Sequence, residues 1–179
     1  MYSLKIISIF LLSFSLHSTL KLYIPMGAAT TANELKKSHS ELAFGVGAEY
    51  EFFTKNNWGF SSGLALSTTN PLFTGNDDVF VKPIFYGLSP GMFATYKILG
   101  QRVAFLPSVG VKARFGIMHV TKKLLTAYAS HNYFAYGLGP SVSMGYQIID
   151  FIFSIGYSLE FGKPNLRQEM TLSLAYVLW

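Results

Sequence analysis

Between residues 136 and 147 the chain reads YGLGPSVSMGYQ, and this alternation decides the fold. Every second residue is a large apolar residue or proline, and the residues between them are glycine, serine or glutamine. A period of two predicts a β-strand with one apolar face and one small, polar face. The same pattern continues towards the C-terminus, so the sequence predicts further strands of this kind.

The amino-acid composition indicates which face of these strands is turned to lipid. Only 13% of the residues are charged and half are hydrophobic, whereas about 25% charged residues is usual for a globular protein. A soluble barrel would need many Lys, Glu and Asp on its wet face, but the small face here is mostly Gly, Ser and Ala. Such a face fits a crowded barrel interior, with the apolar face turned to lipid.

Eight segments show this pattern, and we predict an all-β fold, an eight-stranded antiparallel transmembrane β-barrel with up-and-down topology. No run of about 18 apolar residues predicts a spanning helix, whereas a spanning strand needs only about 9–11 residues. The predicted strands are residues 20–28, 41–53, 58–68, 80–98, 102–117, 132–148, 151–161 and 168–179.

The connections between the predicted strands alternate in length. Those after the second, fourth and sixth strands are short, as in outer-membrane barrels, which have short periplasmic turns and longer extracellular loops. An even number of strands also leaves both termini in the periplasm. The sequence therefore predicts a location in the cell outer membrane, with outer loops over residues 30–40, 69–79, 118–131 and 162–167.

The first 18 residues are typical of a cleavable export signal. Lys5 gives the positively charged start, and residues 6–16 form an apolar run that is too short to span a membrane. We expect residues 1–18 to be removed and residues 19–179 to form one barrel domain; a retained N-terminal helix or anchor is the alternative. Removal of Lys5 would lower the formal net charge by one from +5, to +4.

Charged residues of both signs fall on the small, inward face of the predicted strands. The interior of an eight-stranded barrel is only just wide enough to be filled by side chains, and unpaired ions there would be costly. We therefore predict a cross-barrel network of ion pairs that closes the lumen, with a narrow water path as the alternative. Its predicted members are Lys21, Glu41, Glu49, Glu51, Lys97, Lys112, Arg114 and Glu160.

A second set of charges is entirely basic and falls in the predicted outer loops. We predict that this outer-loop basic patch attracts lipopolysaccharide phosphates or another polyanion; ordinary solubility charges are the alternative, and a nucleic-acid partner is not expected. Part of the loop over residues 118–131 could form an amphipathic turn on the membrane surface, at residues 121–128. The predicted members of the patch are Lys36, Lys37, Lys122, Lys123, Lys163 and Arg167.

Candidate catalytic residues are few. An enzymatic barrel would need a histidine placed with a hydroxyl and an acid, but no such group here follows the pattern of a barrel enzyme. Cysteine is absent, and no metal-ligand spacing or nucleotide fingerprint occurs, so no cofactor or metal is predicted. The rim residues considered are His39, His119 and His131 with Ser38, Ser40, Ser130, Asp77, Asp78 and Glu41.

Three segments resemble the PorT-type outer-membrane β-barrel domain family. Residues 48–64, AEYEFFTKNNWGFSSGL, look like its first hairpin. Residues 105–112, FLPSVGVK, and residues 137–142, GLGPSV, resemble its later proline-bearing strands. The resemblance covers most of residues 40–179, and the layout is also similar to small OmpX-like and OmpW-like barrels. It implies an outer-membrane location and gives almost no biochemical function.

The predicted function is a structural or surface-interaction role carried by the extracellular loops, without enzymatic activity. A narrow, porin-like pore for small or apolar solutes is the first alternative, and a lipid A-modifying enzyme is the second. The expected partners are outer-membrane lipid, lipopolysaccharide, the barrel assembly machinery and a surface protein or polyanion. The barrel is expected to be a monomer.

Overall fold

The protein is built almost entirely of β-strands in the computed structural model, which describes residues 19–32, 38–71, 81–99, 103–124, 127–163 and 166–178. In these ranges there is no helix that is long and apolar enough to cross a membrane. The strands are β1 (Thr19–Ala32), β2 (Ser38–Lys55), β3 (Trp58–Pro71), β4 (Val81–Tyr96), β5 (Ile98–Leu99), β6 (Val103–Leu124), β7 (Ala127–Ile148), β8 (Phe151–Lys163) and β9 (Leu166–Leu178).

The strands close into an eight-stranded barrel, because β4 and β5 are two parts of one strand separated at Lys97. Both of these parts pair with β6. Every pairing is antiparallel between strands that are neighbours in the chain, and the closing pair is β1 with β9. The predicted fold class, a closed antiparallel up-and-down barrel, is confirmed. The end with the short turns β2–β3 and β7–β8 is the periplasmic end.

The hairpin of β6 and β7 corrects the sequence prediction of a loop over residues 118–131. The two strands stay paired as far as Leu124 opposite Ala127, so the predicted amphipathic turn over residues 121–128 is wrong. The physical reason is a change of polarity along the strand. Above the lipid-facing band the outward residues become polar and the inward residues Met118 and Val120 become apolar, which hides the alternation.

The outward face of the barrel is apolar over a broad band. Leu66 and Phe134 are each 60% exposed, whereas Glu41 and Glu51 are 1% exposed, the reverse of a soluble protein. Such a surface is stable only against lipid. On the loop side the band ends at a polar rim of exposed residues, here called the outer rim: Thr30, Ser40, Asn70, Asn132, Lys163 and Gln168.

Prolines interrupt the hydrogen-bonded ladder on one side of their strands. The β1–β2 register skips Pro25, the β4–β6 register skips Pro90, and the β7–β8 register skips Pro140. Pro107 is skipped where β4 gives way to β5, opposite the break at Lys97. Since proline has no N–H to donate, each one limits pairing locally. Each strand still pairs with the neighbour on its other side, so the barrel stays closed.

The periplasmic turn between β7 and β8 carries backbone strain at one residue. Ile149 has a φ of 54°, a left-handed conformation that costs a β-branched residue about 1–2 kcal/mol. The turn is held by the Gln147 side-chain amide, which donates to the Ile149 carbonyl at 2.9 Å. It is also held by the Val177 N–H, which donates to the Asp150 carbonyl at 2.8 Å.

Replacing Ile149 with glycine should therefore raise the free energy of unfolding by about 1 kcal/mol, because glycine adopts positive φ without steric cost. Urea unfolding of the chain refolded in lipid vesicles measures the change. Asn56→Gly is the matched control: Asn56 also has positive φ, at 50°, but asparagine tolerates it. Equal gains in both variants would contradict strain at Ile149.

Candidate functional site

Charged side chains fill the periplasmic half of the lumen in one compact group, here called the periplasmic cluster: Lys21, Glu49, Glu51 and Lys97. The Lys21 Nζ lies 2.8 Å from Glu49 Oε1 and 3.2 Å from Glu51 Oε2. The Lys97 Nζ lies 2.9 Å from Glu51 Oε1. Glu51 is buried and joins the two lysines, so this cluster links β1 and β2 to the break between β4 and β5.

A second group lies nearer the outer rim and is here called the outer cluster. Arg167 joins two acids, with Nη1 3.1 Å from Glu41 Oε2 and Nη2 3.4 Å from Glu169 Oε2. The Lys112 Nζ lies 3.1 Å from the same Glu169 oxygen. The members of the outer cluster are Glu41, Lys112, Arg114, Glu160, Arg167 and Glu169.

Arg114 and Glu160 form a further ion pair in the outer cluster. The Arg114 Nε donates to Glu160 Oε2 at 2.9 Å, and its guanidinium carbon lies 4.5 Å from the centroid of the Phe85 ring. Both Arg114 and Glu160 are buried, and Phe85 is fully buried. An arginine over an aromatic face is stabilised by the charge distribution of the ring, so the Phe85 ring adds to the stabilisation that Glu160 gives Arg114.

The structure places all eight predicted interior charges inside the barrel, but the prediction missed two further members, Arg167 and Glu169. Arg167 was expected in the outer-loop basic patch, and it lies instead in β9 with 2% exposure. The alternation contained a usable signal, because Arg167 and Glu169 continue the inward phase of Thr171 and Ser173. Each cluster holds equal numbers of acids and bases, which limits the cost of burying the ions.

Between the two clusters lies a cavity of about 180 Å³ with a hydroxyl-rich wall. Ser154 and Ser173 are hydrogen bonded at 2.6 Å, and Thr95 donates to Ser108 at 3.1 Å. Buried apolar side chains lie towards the periplasmic end: Ala104, Leu106, Ile152, Ala175 and Val177. Others lie towards the outer end: Phe85, Met118, Val120 and Ala135.

Among the described side chains, the imidazole of His119 is hydrogen bonded to an amide and a hydroxyl and to no acid. Glu41 faces the interior and binds Arg167, whereas His119 is on the outward face of β6. The His119 Nδ1 lies 2.6 Å from Asn132 Oδ1, and its Nε2 lies 3.2 Å from Thr121 Oγ1. Sequence reasoning missed both partners. The other rim candidates are exposed or are outside the described side chains: Ser40, Ser130 and His131 are exposed, and Ser38, His39, Asp77 and Asp78 are outside.

The remaining lysines of the predicted basic patch are only partly described. Lys163 is exposed at the outer end of β8, and the backbones of Lys122 and Lys123 lie in β6. The side chains of Lys122 and Lys123, and all of Lys36 and Lys37, lie outside the described part of the chain. Within that part, no group of three or more His, Asp or Glu side chains could hold a metal ion.

Comparisons with known proteins identify a class by fold. No protein-family model matches the chain, and no curated protein matches its sequence. Among solved structures, it is similar to Ail, the attachment invasion locus protein of Yersinia pestis, with 15% identity and a TM-score of 0.56 over 91% of this chain and 100% of Ail. It is also similar to Neisserial surface protein A, with 14% identity and a TM-score of 0.51 over 89% of this chain and 96% of that one.

A further similar structure is Ail in complex with the heparin analogue sucrose octasulfate, with 15% identity and a TM-score of 0.51 over 91% of this chain and 100% of Ail. At these sequence identities, the structural similarity establishes a shared fold and nothing further. The chain has the fold of a small outer-membrane β-barrel, in agreement with its apolar outward band.

Proposed function

We propose that this protein is a closed outer-membrane barrel that presents the β6–β7 hairpin to partners outside the cell. The observation that carries the proposal is the unequal height of the strands. The last pair between β7 and β8 is Tyr136 with Lys163, whereas β6 and β7 remain paired as far as Leu124 and Ala127. The hairpin therefore stands above its β8 neighbour.

In the part of the chain that the structure describes, the raised part of β7 is paired on one side only. Over residues 127–135, β7 pairs with β6 but with no other strand among the described residues. An open strand edge offers backbone N–H and C=O groups to an extended segment of a partner. The side chains from Ala129 to Asn132 are all exposed, so the backbone there can be reached from solvent.

We infer that side chains close the lumen, which favours a binding role over a pore. Two ion-pair clusters and two groups of buried apolar side chains stand above and below the central cavity. Because each cluster is electrically neutral, the positive excess of the predicted mature chain comes from residues outside the clusters, which include Lys122 and Lys123 in β6 and Lys163 at the outer end of β8. This distribution favours a polyanionic partner, such as lipopolysaccharide phosphates or a sulfated glycan, and the fold neighbour Ail has been crystallised with a heparin analogue.

Three further assignments belong to this proposal. We propose that the chain belongs to the PorT-type family, because the quoted segments resemble that family. We propose that the barrel assembly machinery inserts it, because it is a closed barrel with a lipid-facing band. We propose that it is a monomer, because every strand is paired on both sides within that band.

Neutralising the two lysines of the raised hairpin tests the binding role. Lys122→Gln with Lys123→Gln should lower the salt concentration that elutes the refolded protein from immobilised heparin and from immobilised lipopolysaccharide. Each lost cation removes a favourable electrostatic contact with the polyanion. Lys55→Gln, at the periplasmic end of β2, is the matched control and should leave elution unchanged. Equal effects of both changes would reject the hairpin as the binding surface.

A further inference from the structure

A hydroxyl, an imidazole and an amide are joined in series on the outward face of the β6–β7 hairpin. Thr121 Oγ1 lies 3.2 Å from His119 Nε2, and His119 Nδ1 lies 2.6 Å from Asn132 Oδ1. The strand period puts Thr121 and His119 on one face of β6, and the register sets Asn132 directly opposite His119 on β7. The pairing of β6 with β7 therefore brings Thr121, His119 and Asn132 together, and these three residues are here called the array.

The distances fit one tautomer of a neutral imidazole. The Asn132 Oδ1 can only accept, so in this tautomer Nδ1 carries the proton and donates to it. Nε2 then accepts from the Thr121 hydroxyl. This is the order of groups in which a base activates a hydroxyl nucleophile while a third group orients the base.

The array lies where the lipid-facing band gives way to the outer rim. Directly below it on the same outward face are Ile117 and Phe134, which are 55% and 60% exposed. Asn132 and Ser130 are exposed polar residues on the other strand of the hairpin, and Ser130 is opposite Thr121 in the register. In an outer-membrane barrel this level meets the headgroup and ester region of the outer leaflet.

We propose that Thr121, His119 and Asn132 form a hydrolytic site for carboxylic esters of outer-leaflet lipids. This activity is separate from polyanion binding by the hairpin lysines. Thr121 and His119 are the catalytic residues, and Asn132 is a positioning residue that acts through His119. The site takes a lipid ester from the membrane side, because its apolar border continues directly into the lipid-facing band.

The chemistry needs only water as co-reactant. Thr121 Oγ attacks the ester carbonyl carbon while its proton passes to His119 Nε2. The ester C–O bond then breaks, and the lipid alcohol leaves with that proton, which forms an acyl-Thr121. Water attacks the acyl carbon and gives a proton to His119. The bond to Thr121 breaks, the proton returns to Thr121 Oγ, and the fatty acid is released.

Covalent labelling tests the nucleophile in the whole mature chain, refolded into phospholipid vesicles. An alkyl fluorophosphonate should phosphonylate Thr121 with loss of fluoride, and mass spectrometry of the peptides locates the label. His119→Ala should slow labelling by about 100-fold, the lower range for loss of a general base, and Thr121→Ser should keep it. Thr30→Ala, on the outer rim in β1, is the matched control and should label normally.

Lipid turnover identifies the ester. Fatty-acid release is measured from phosphatidylcholine vesicles and from vesicles that contain lipopolysaccharide, and it should be lost in Thr121→Ala and restored in Thr121→Ser. Release from only one vesicle type would identify its lipid as the substrate. Asn132→Ala should shift the pH profile of labelling without removing the label, whereas a purely structural role would leave the profile unchanged. A heat-modifiable gel shift verifies that every variant is folded.

Absence of a label on Thr121 in the folded wild-type protein would overturn the proposal. So would a labelling rate that is the same in His119→Ala as in the wild type. Neither result would affect heparin or lipopolysaccharide binding by Lys122 and Lys123, so the two functions can fail separately.

Discussion

Replacing Arg167 with alanine will lower the free energy of unfolding by about 3–5 kcal/mol, the range for breaking a buried ion pair from one side. Arg167 contacts the carboxylates of both Glu41 and Glu169, at 3.1 and 3.4 Å. Glu41 is 1% exposed, so the loss leaves a buried acid without its cation. Urea unfolding in lipid vesicles, followed by tryptophan fluorescence, measures the change.

Two variants isolate the buried charge as the cause. Lys163→Ala removes an exposed cation at the outer rim and should change the free energy of unfolding by less than about 0.5 kcal/mol, as for other surface changes. The double variant Arg167→Met with Glu41→Leu removes both charges. Its free energy of unfolding should therefore fall by less than that of Arg167→Ala alone. A double variant as unstable as the single one would contradict the electrostatic explanation.

Replacing Gly139 with alanine should lower the free energy of unfolding by about 3 kcal/mol, the upper end of the range for overpacking, or prevent the barrel from closing. A Cβ on Gly139 would collide with the Leu159 carbonyl oxygen of the neighbouring strand, with Leu159 C also within 2.9 Å. These are backbone atoms, so no rotamer change can make room. The β7–β8 register already skips this position beside Pro140, and further separation would open the barrel wall.

Gly156→Ala is the matched control for this prediction. A Cβ at Gly156 would lie 3.4 Å from Ser143 Cβ and 3.5 Å from the Val142 carbonyl oxygen, which are ordinary contacts. The control should fold as the wild type does, with a free energy of unfolding within about 1 kcal/mol. Refolding yield on a heat-modifiable gel and urea unfolding compare the two. If both alanine variants had the same refolding yield and free energy of unfolding, β7 and β8 would not be as close at Gly139 as the structure places them.

Much of the fold follows from the sequence, because a period of two fixes both the strand and the face of each residue. This is why Lys21, Glu51 and Arg114 were placed inside without knowledge of any contact. The prediction failed where the environment changed along a strand. Beyond the lipid band His119 and Thr121 face outward and Met118 faces inward, so polarity no longer marks the same face.

Contacts across strands were beyond the reach of sequence reasoning. The pair His119 and Asn132 depends on the register of β6 against β7, in which Leu124 lies opposite Ala127. A predicted loop over residues 118–131 does not specify that register. Arg167 was missed for a related reason. The last strand was predicted to start at residue 168 but starts at Leu166, and this two-residue difference moved Arg167 from the lumen to a loop.

Single-channel recording in a planar bilayer tests the central claim, a closed barrel whose role lies on its outer hairpin. A chain that starts at Thr19, the predicted mature N-terminus, is refolded, shown to be folded by its heat-modifiable mobility, and added to the bilayer. The two ion-pair clusters and the apolar side chains beyond them predict stable insertion without discrete current steps. Discrete, reproducible steps in the wild-type protein would contradict the closed lumen, and the clusters would then line a conducting path.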